Sequence, residues 1–277
     1  MAVGLTPVSR SDASRALEVP SADPLLTRLK SISALTADQA HIVSAMRGPP
    51  RHVPPRSQLG RIGDPAPSAF VIREGWAFAY TLLPDGDRQV LGFLVPGDFV
   101  RVSDLFRASA VCGIETITKA VVTEISPAAV RRASSQWPEL YEIFLRLQSE
   151  SHSRRVAQLV AVARRGSQAR VAHLLCTLEQ RLISVGLATP DGYAFPVSQY
   201  LIADALGLTS IHVNRVVRVL RDQGIATVRN RHVIIHDRAR LMEIASCDRN
   251  ATDDSAIIVS ANGIPPARGN NRSCISC

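Results

Sequence analysis

Residues 198–224 read SQYLIADALGLTSIHVNRVVRVLRDQG. Ser198 can accept from the amides that open a helix, and Gln199–Leu206 follows with Ile202, Ala203 and Leu206 on one face. Gly207 falls where a left-handed C-cap is needed, a conformation that strains any residue bearing a Cβ. Thr209 caps a second helix whose inner stripe is Val213, Val216 and Leu220, and Gly224 ends it. Helices joined this tightly cross steeply, so the spacing predicts a helix-turn-helix, with the small Ala203 where the two touch. The outer face of the second helix carries Ser210, Ile211, His212, Asn214, Arg215 and Arg218. A helix that only fills a core has no use for that polar, cationic face; one that enters the major groove does. A helical hairpin in some other α domain is the competing reading.

Downstream, Thr227–Arg229 and His232–Ile235 predict two short strands around an Asn230-Arg231 turn. That is a wing, and it would set Arg229, Arg231 and His232 beside a phosphate backbone. Leu241–Ile244 closes this domain. Upstream, Gln168–Val185 predicts a helix with Val171, Leu174, Leu175, Leu178 and Leu182 inward, and a loop, Gly186–Tyr193, leads to the helix-turn-helix.

Pro127 to about Arg164 is helical, with Pro138 well placed at a first turn. Leu140, Phe144 and Leu147 begin a narrow apolar stripe; Val156, Leu159, Val162 and Ala163 resume it beyond the polar Ser149–Arg155. A long helix with a narrow seam between two domains is expected to pair with its twin; the alternative is that it docks on the domain before it.

Arg51–Ile125 has a different character. Short apolar runs (Ala69–Arg73, Trp76–Leu82, Arg88–Leu94, Ile114–Thr118, Val121–Ile125) alternate with turns such as Pro84-Asp85-Gly86-Asp87 and Pro96-Gly97-Asp98. Evenly spaced short strands of this kind predict a sandwich or jelly-roll barrel. One or two small helices precede it within Pro24–Met46, stopped by Gly48-Pro49-Pro50. The expected fold class is α+β. Residues 1–23 read as a disordered tail, 24–134 as a β-roll with flanking helices, 135–165 as a dimerisation helix, 166–246 as a winged helix-turn-helix, and 247–277 as a second disordered tail.

The 277 residues carry a formal charge of +8, almost all of it from arginine. Arginine grips phosphate bidentately and keeps its proton, and a C-terminal half this basic suits nucleic acid better than an acidic small molecule. The five cysteines are odd in number and scattered, which excludes a disulfide scaffold and fits a reducing cytoplasm. Neither a signal peptide nor a membrane span is expected.

Three features stand together: LPDGDRQVLGFLVPGDF (Leu83–Phe99), one long connecting helix, and ADALGLTSIHVNRVVRVLRDQGI (Ala203–Ile225) before a wing. The combination, over about Leu25–Ile244, resembles the Crp/Fnr superfamily of bacterial transcription regulators. The resemblance implies a cyclic-nucleotide-binding-type β-roll, a dimerisation helix (Leu140, Phe144, Leu147, Val156, Leu159, Ala163) and a winged helix. It implies a homodimer on a near-palindromic promoter site of double-stranded DNA, contact with RNA polymerase, and no enzymatic activity. Carried onto this chain, the base-reading positions are Ser210, Ile211, His212, Asn214 and Arg215, with Arg215 bidentate to guanine; the phosphate contacts are Ser198, Thr209, Arg218, Arg229 and Arg231. The family often has a glutamate where Ile211 stands. Isoleucine cannot accept a hydrogen bond, so only a thymine methyl suits it.

The resemblance also implies absences. In cyclic-AMP-binding members an Arg-Ser/Thr pair holds the cyclic phosphate; here Ala110-Val111 stands there and Arg101-Val102-Ser103 follows the PGDF turn. A cyclic phosphate would lack its counter-charge. An iron–sulfur cluster needs about four thiolates, and the Fnr-type N-terminal cysteines are missing: the first is Cys112. No metal or cofactor is expected, Cys274-x-x-Cys277 being half a metal site at most. Two other functions compete: a small-molecule-binding roll whose C-terminal domain contacts protein, and a cupin-like enzyme. The second needs clustered metal ligands, and Arg51–Ile125 offers one histidine, His52.

Overall fold

The computed structural model describes residues 23–65, 68–102, 104 and 107–245. The two tails expected to be disordered, and the Cys274/Cys277 pair, lie outside the described residues, apart from Asp23.

Two short helices open the chain, α1 (Pro24–Ile32) and α2 (Ala37–Ala45). Asp23 caps the first by accepting from the amides of Leu25 and Leu26; Thr36 and Gln39 form a reciprocal capping box on the second. Eight strands follow: β1 (Arg51–Val53), β2 (Gln58–Gly60), β3 (Ala69–Glu74), β4 (Ala77–Leu82), β5 (Arg88–Leu94), β6 (Phe99–Val100), β7 (Gly113–Thr116) and β8 (Ala120–Ile125). They pair antiparallel into two four-stranded sheets, β1-β8-β3-β6 and β2-β7-β4-β5. Between the sheets lie Leu59, Phe70, Ile72, Ala77, Ile114 and Val122. This is the predicted roll. The sequence pattern missed β1, β2 and β6, which hold two or three residues each and are too short to show alternation.

Helix α3 (Pro127–Gln136) leads into the 27-residue α4 (Pro138–Arg164). The winged domain comprises α5 (Ser167–Ile183), β9 (Ala188–Thr189), β10 (Gly192–Ala194), α6 (Gln199–Leu206), α7 (Ser210–Asp222), β11 (Ala226–Arg229), β12 (His232–Ile235) and α8 (Arg238–Ala245). Its sheet runs β11-β12-β10-β9, so the segment expected to be a loop supplies two further strands to the wing.

The long helix corrects one expectation. Leu140, Phe144 and Leu147, expected in a dimer seam, are buried with Leu25, Leu29, Val71 and Val130. The Phe144 ring meets Phe99 edge-on at 5.7 Å. The physical reason is the cover formed by α1 and α3: together with the roll they enclose that face of α4. The free face lies roughly opposite. Tyr141, Leu145, Val156 and Leu159 are exposed, Leu159 at 68%. With Ser149, His152 and Ala163, also exposed, they recur every three or four residues, a heptad register that passes through the polar stretch.

The roll and the winged domain share one core. Trp76, Phe78 and Phe93 point outward from their sheet, while Ala77 points in as the strand period requires. That outward set packs with Leu178, Phe195, Ile202 and Leu206 of the winged domain. Gly97, at φ +89°, sits in the Pro96-Gly97-Asp98 turn, where an added Cβ would lie 2.8 Å from Val185 Cγ1. Only glycine allows so close an approach.

Candidate nucleic-acid interface

The helix-turn-helix is built as its punctuation predicts. Ser198 accepts from the Leu201 amide at 3.3 Å to cap α6. Gly207 takes φ +60°, ψ +44°, and its own amide donates to the Ala203 carbonyl. Thr209 Oγ1 accepts from the His212 amide at 3.2 Å, opening α7. Val213, Val216 and Leu220 are buried as the inner stripe. Arg170 braces the turn from behind: its Nε donates to the Arg165 carbonyl at the end of α4, 2.8 Å away, and its Nη1 to the Leu206 carbonyl at 2.9 Å. One guanidinium therefore ties the ends of α4 and α6 together, and with them the entry to α7.

The outward face of α7 is open. Ile211 is 79% exposed, and His212, Asn214, Arg215 and Arg218 are exposed as well; Ser210 is half-buried. A groove gathers Ser210, Ile211, Asn214, Arg215 and Arg218 with two residues of α6, Gln199 and Tyr200. Asn214 Nδ2 donates to Gln199 Oε1 at 3.3 Å, which aims the Asn214 carboxamide. Sequence reasoning took Gln199 and Tyr200 only as the start of a helix. The missed signal was Tyr200: a large aromatic outside the apolar stripe of α6, 72% exposed beside the N-terminus of α7.

The wing turn is tight. Asn230 and Arg231 take φ +52° and +59°, both left-handed as a two-residue type I′ hairpin requires. Arg229, Arg231 and His232 are exposed at its tip. Most arginines of the domain are engaged: Arg165 and Arg170 on carbonyls, Arg181, Arg221, Arg238 and Arg240 on carboxylates. Arg215, Arg218, Arg229 and Arg231 have no such partner among the described residues. Four exposed guanidinium groups without carboxylates, split between one helix face and the adjacent hairpin tip, form a cationic surface whose hydrogen-bonding capacity is unspent.

The roll fits a cyclic nucleotide poorly. Ala110 is buried and Val111 exposed where the Arg-Ser/Thr pair is expected. Of the two nearby arginines, Arg107 is exposed, while Arg101 is buried at φ +63° and committed to its own protein: Nη2 donates to the carbonyls of Arg61 (2.8 Å) and Cys112 (2.7 Å). The Asp64 and Asp104 carboxylates lie 3.8 and 3.9 Å from its nitrogens. A cyclic phosphate entering there would face two carboxylates and an already paired cation. Burial, first, and then Asp104 push the neighbouring Cys112 thiol above its ordinary pKa, with Arg101 opposing; this is not the setting of a reactive thiolate. Among the described residues no group of three or more His, Cys, Asp or Glu could hold a metal ion, and no helix is long and apolar enough to cross a membrane.

A fold of this kind, a roll joined by one long helix to a winged helix-turn-helix, defines a class of DNA-binding regulators, and comparison with known proteins bears on it directly. The family described as the Crp-like helix-turn-helix domain matches residues 169–244, and the cyclic nucleotide-binding domain matches residues 50–136. The nitrogen fixation regulation protein FixK of Bradyrhizobium diazoefficiens is 30% identical over 181 residues, 65% of this chain and 74% of that protein. The fumarate and nitrate reduction regulatory protein of Escherichia coli K12 is 23% identical over 192 residues, 69% of this chain and 76% of that one. The structure of FixK2 from Bradyrhizobium japonicum matches with TM-score 0.65 at 23% identity, covering 71% of this chain and 96% of that one, a likeness of fold. The chain belongs to the Crp/Fnr family and is a DNA-binding transcriptional regulator of that type.

Proposed function

We propose that the chain acts in the cytoplasm as a homodimer and binds a near-palindromic promoter site, without cyclic AMP and without a metal centre, to position RNA polymerase. The observation that carries this reading is the open, carboxylate-poor face of α7 beside the wing tip. Two copies of α7, each about 20 Å long, enter successive major grooves about 34 Å apart. The exposed heptad face of α4 (Tyr141, Leu145, Val156, Leu159, Ala163) pairs with its twin and sets that spacing.

Within each half-site, Arg215 takes guanine O6 and N7. Asn214, oriented by Gln199, reads an adenine edge, with Ser210 and His212 as neighbouring polar contacts. Ile211 meets a thymine methyl in place of the cytosine amino group that a glutamate would accept from. Ser198, Thr209, Arg218, Arg229 and Arg231 hold phosphates, and these fix register without reading sequence. The absent Arg-Ser/Thr pair and the engaged Arg101 support independence from cyclic AMP. Quantitative footprinting on the DNA upstream of the chain's own coding region tests the reading. A protected two-fold site, unchanged by cyclic AMP, is expected; protection that requires cyclic AMP contradicts the second part.

A further inference from the structure

Base choice on α7 depends on more than α7. Asn214 stands exposed on the outward face of that helix, and its carboxamide carries an acceptor oxygen and two N–H donors in one plane. With Nδ2 held toward α6, Oδ1 and the second N–H are left for the groove, an acceptor beside a donor. With Oδ1 held toward α6, only N–H donors are left. Adenine presents a donor and an acceptor side by side, N6 and N7, whereas guanine presents two acceptors, O6 and N7. The way Asn214 is turned therefore decides between the two purines.

The group that turns it lies on α6. Gln199 is the first residue of that helix, beside the Ser198 cap, and is exposed. It meets Asn214 where the two helices cross: Asn214 Nδ2 donates to Gln199 Oε1 at 3.3 Å. Both line one groove with Ser210 and Arg215. Gln199 spends its acceptor there, while its Nε2 donors and Asn214 Oδ1 have no partner among the described residues. A glutamine can turn either end inward, so the pair taken alone is reversible. A phosphate oxygen removes the ambiguity because it only accepts: it takes Nε2 and leaves Oε1 for Asn214. Ser198, one residue away, is a phosphate contact in the binding mode proposed above.

We propose that Gln199 determines specificity without touching a base: it bridges a DNA phosphate to the Asn214 amide and so locks Asn214 for adenine and against guanine. This role rests on the reading above, in which Asn214 meets a base edge, and extends it by placing the choice at that position on α6. Gln199 is a positioning residue, and the hydrogen-bonding polarity of its side chain is what matters. A side chain at 199 that only accepts keeps the lock. One that only donates draws Asn214 Oδ1 inward, leaves N–H donors for the groove, and turns the preference toward guanine. One that does neither frees Asn214 to adopt both orientations.

The test uses the full chain and duplexes of its footprinted upstream site. Competition binding with each base pair varied in turn finds the position at which Asn214→Ala loses its preference; the ratio of affinities for adenine and guanine there is the readout. A general loss of stability or a change of charge moves both affinities and leaves the ratio alone. Gln199→Ala should lower the wild-type preference for adenine about tenfold. Gln199→Glu should keep it while weakening both duplexes, since its carboxylate faces a phosphate. Gln199→Lys should shift the ratio beyond the alanine value, toward guanine. In an Asn214→Ala background none of the three should move it. A preference lost in N214A but equal in wild type, Q199A and Q199K overturns the role of Gln199 and leaves the reading of Asn214 standing, as does a wild-type preference for guanine at that position. A preference that N214A loses at no position overturns both.

Discussion

Arg181, on α5 of the winged domain, donates to the carboxylate of Asp98 in the Pro96-Gly97-Asp98 turn of the roll. The same carboxylate oxygen accepts from the Val95 amide at 2.7 Å, so one atom closes the turn and clasps the domains. Both side chains are mostly buried. Asp98→Asn keeps the shape and removes the charge, stranding a buried guanidinium. The expected loss is about 1–3 kcal/mol, below the full cost for a deeply buried pair because both groups keep some solvent contact. Chemical denaturation of D98N against wild type measures it.

In the proposed half-site, Ile211 offers an apolar contact where a glutamate would read cytosine. Replacing the contacted thymine by uracil removes only the 5-methyl group, and wild-type binding should then fall by about 1 kcal/mol. Ile211→Ala should be insensitive to the change. Competition gel shifts with thymine and uracil duplexes check both.

Base and phosphate contacts separate by salt. Arg215→Ala should cost about 1–3 kcal/mol and relax base choice at one position of each half-site. Arg218→Ala should weaken all sequences alike and lower the log–log salt slope by about 1 per subunit. Binding isotherms over a salt series, on the site and on scrambled DNA, distinguish the two patterns.

Tyr193 is fully buried, and its hydroxyl donates to the Leu175 carbonyl at 2.8 Å. Burial first, then Cys176 and Glu179, push its pKa well above the ordinary 10.0. The folded value exceeds the unfolded one, so this contribution is complete below pH 10.0 and is lost as pH rises beyond it. Stability should fall above that pH by up to about 1.4 kcal/mol per unit from this group. Tyr193→Phe, at the cost of one hydrogen bond, should flatten that part of the profile, as denaturation midpoints between pH 9 and 11 would record.

Local chemistry was legible wherever it was punctuated. Ser198, Gly207 and Thr209 mark their caps because a helix end needs an acceptor or a left-handed residue whatever surrounds it. The strands from Ala69 to Leu94 showed through their turns. What stayed hidden depends on neighbours distant in the chain. Leu140, Phe144 and Leu147 look like half of a seam because an apolar stripe does not say which partner covers it; α1 and α3 decide that. The exposed register runs through Ser149 and His152, too polar to read as apolar. Tyr200 passed as a helix residue, since only the crossing of α6 and α7 shows that it borders the recognition face. The shared core of roll and winged domain was equally invisible: Trp76 and Phe78 read as strand residues with no destination.

The open arginine face of α7 is proposed to read duplex DNA across a two-fold axis. The most direct measurement is hydroxyl-radical footprinting of the purified chain on its own upstream DNA, with Arg215→Ala alongside. Two protected patches related by a dyad and about one helical turn apart are expected, fading steeply with salt and lost or blurred in R215A. A single unsymmetrical patch, or protection that R215A leaves intact, would contradict it.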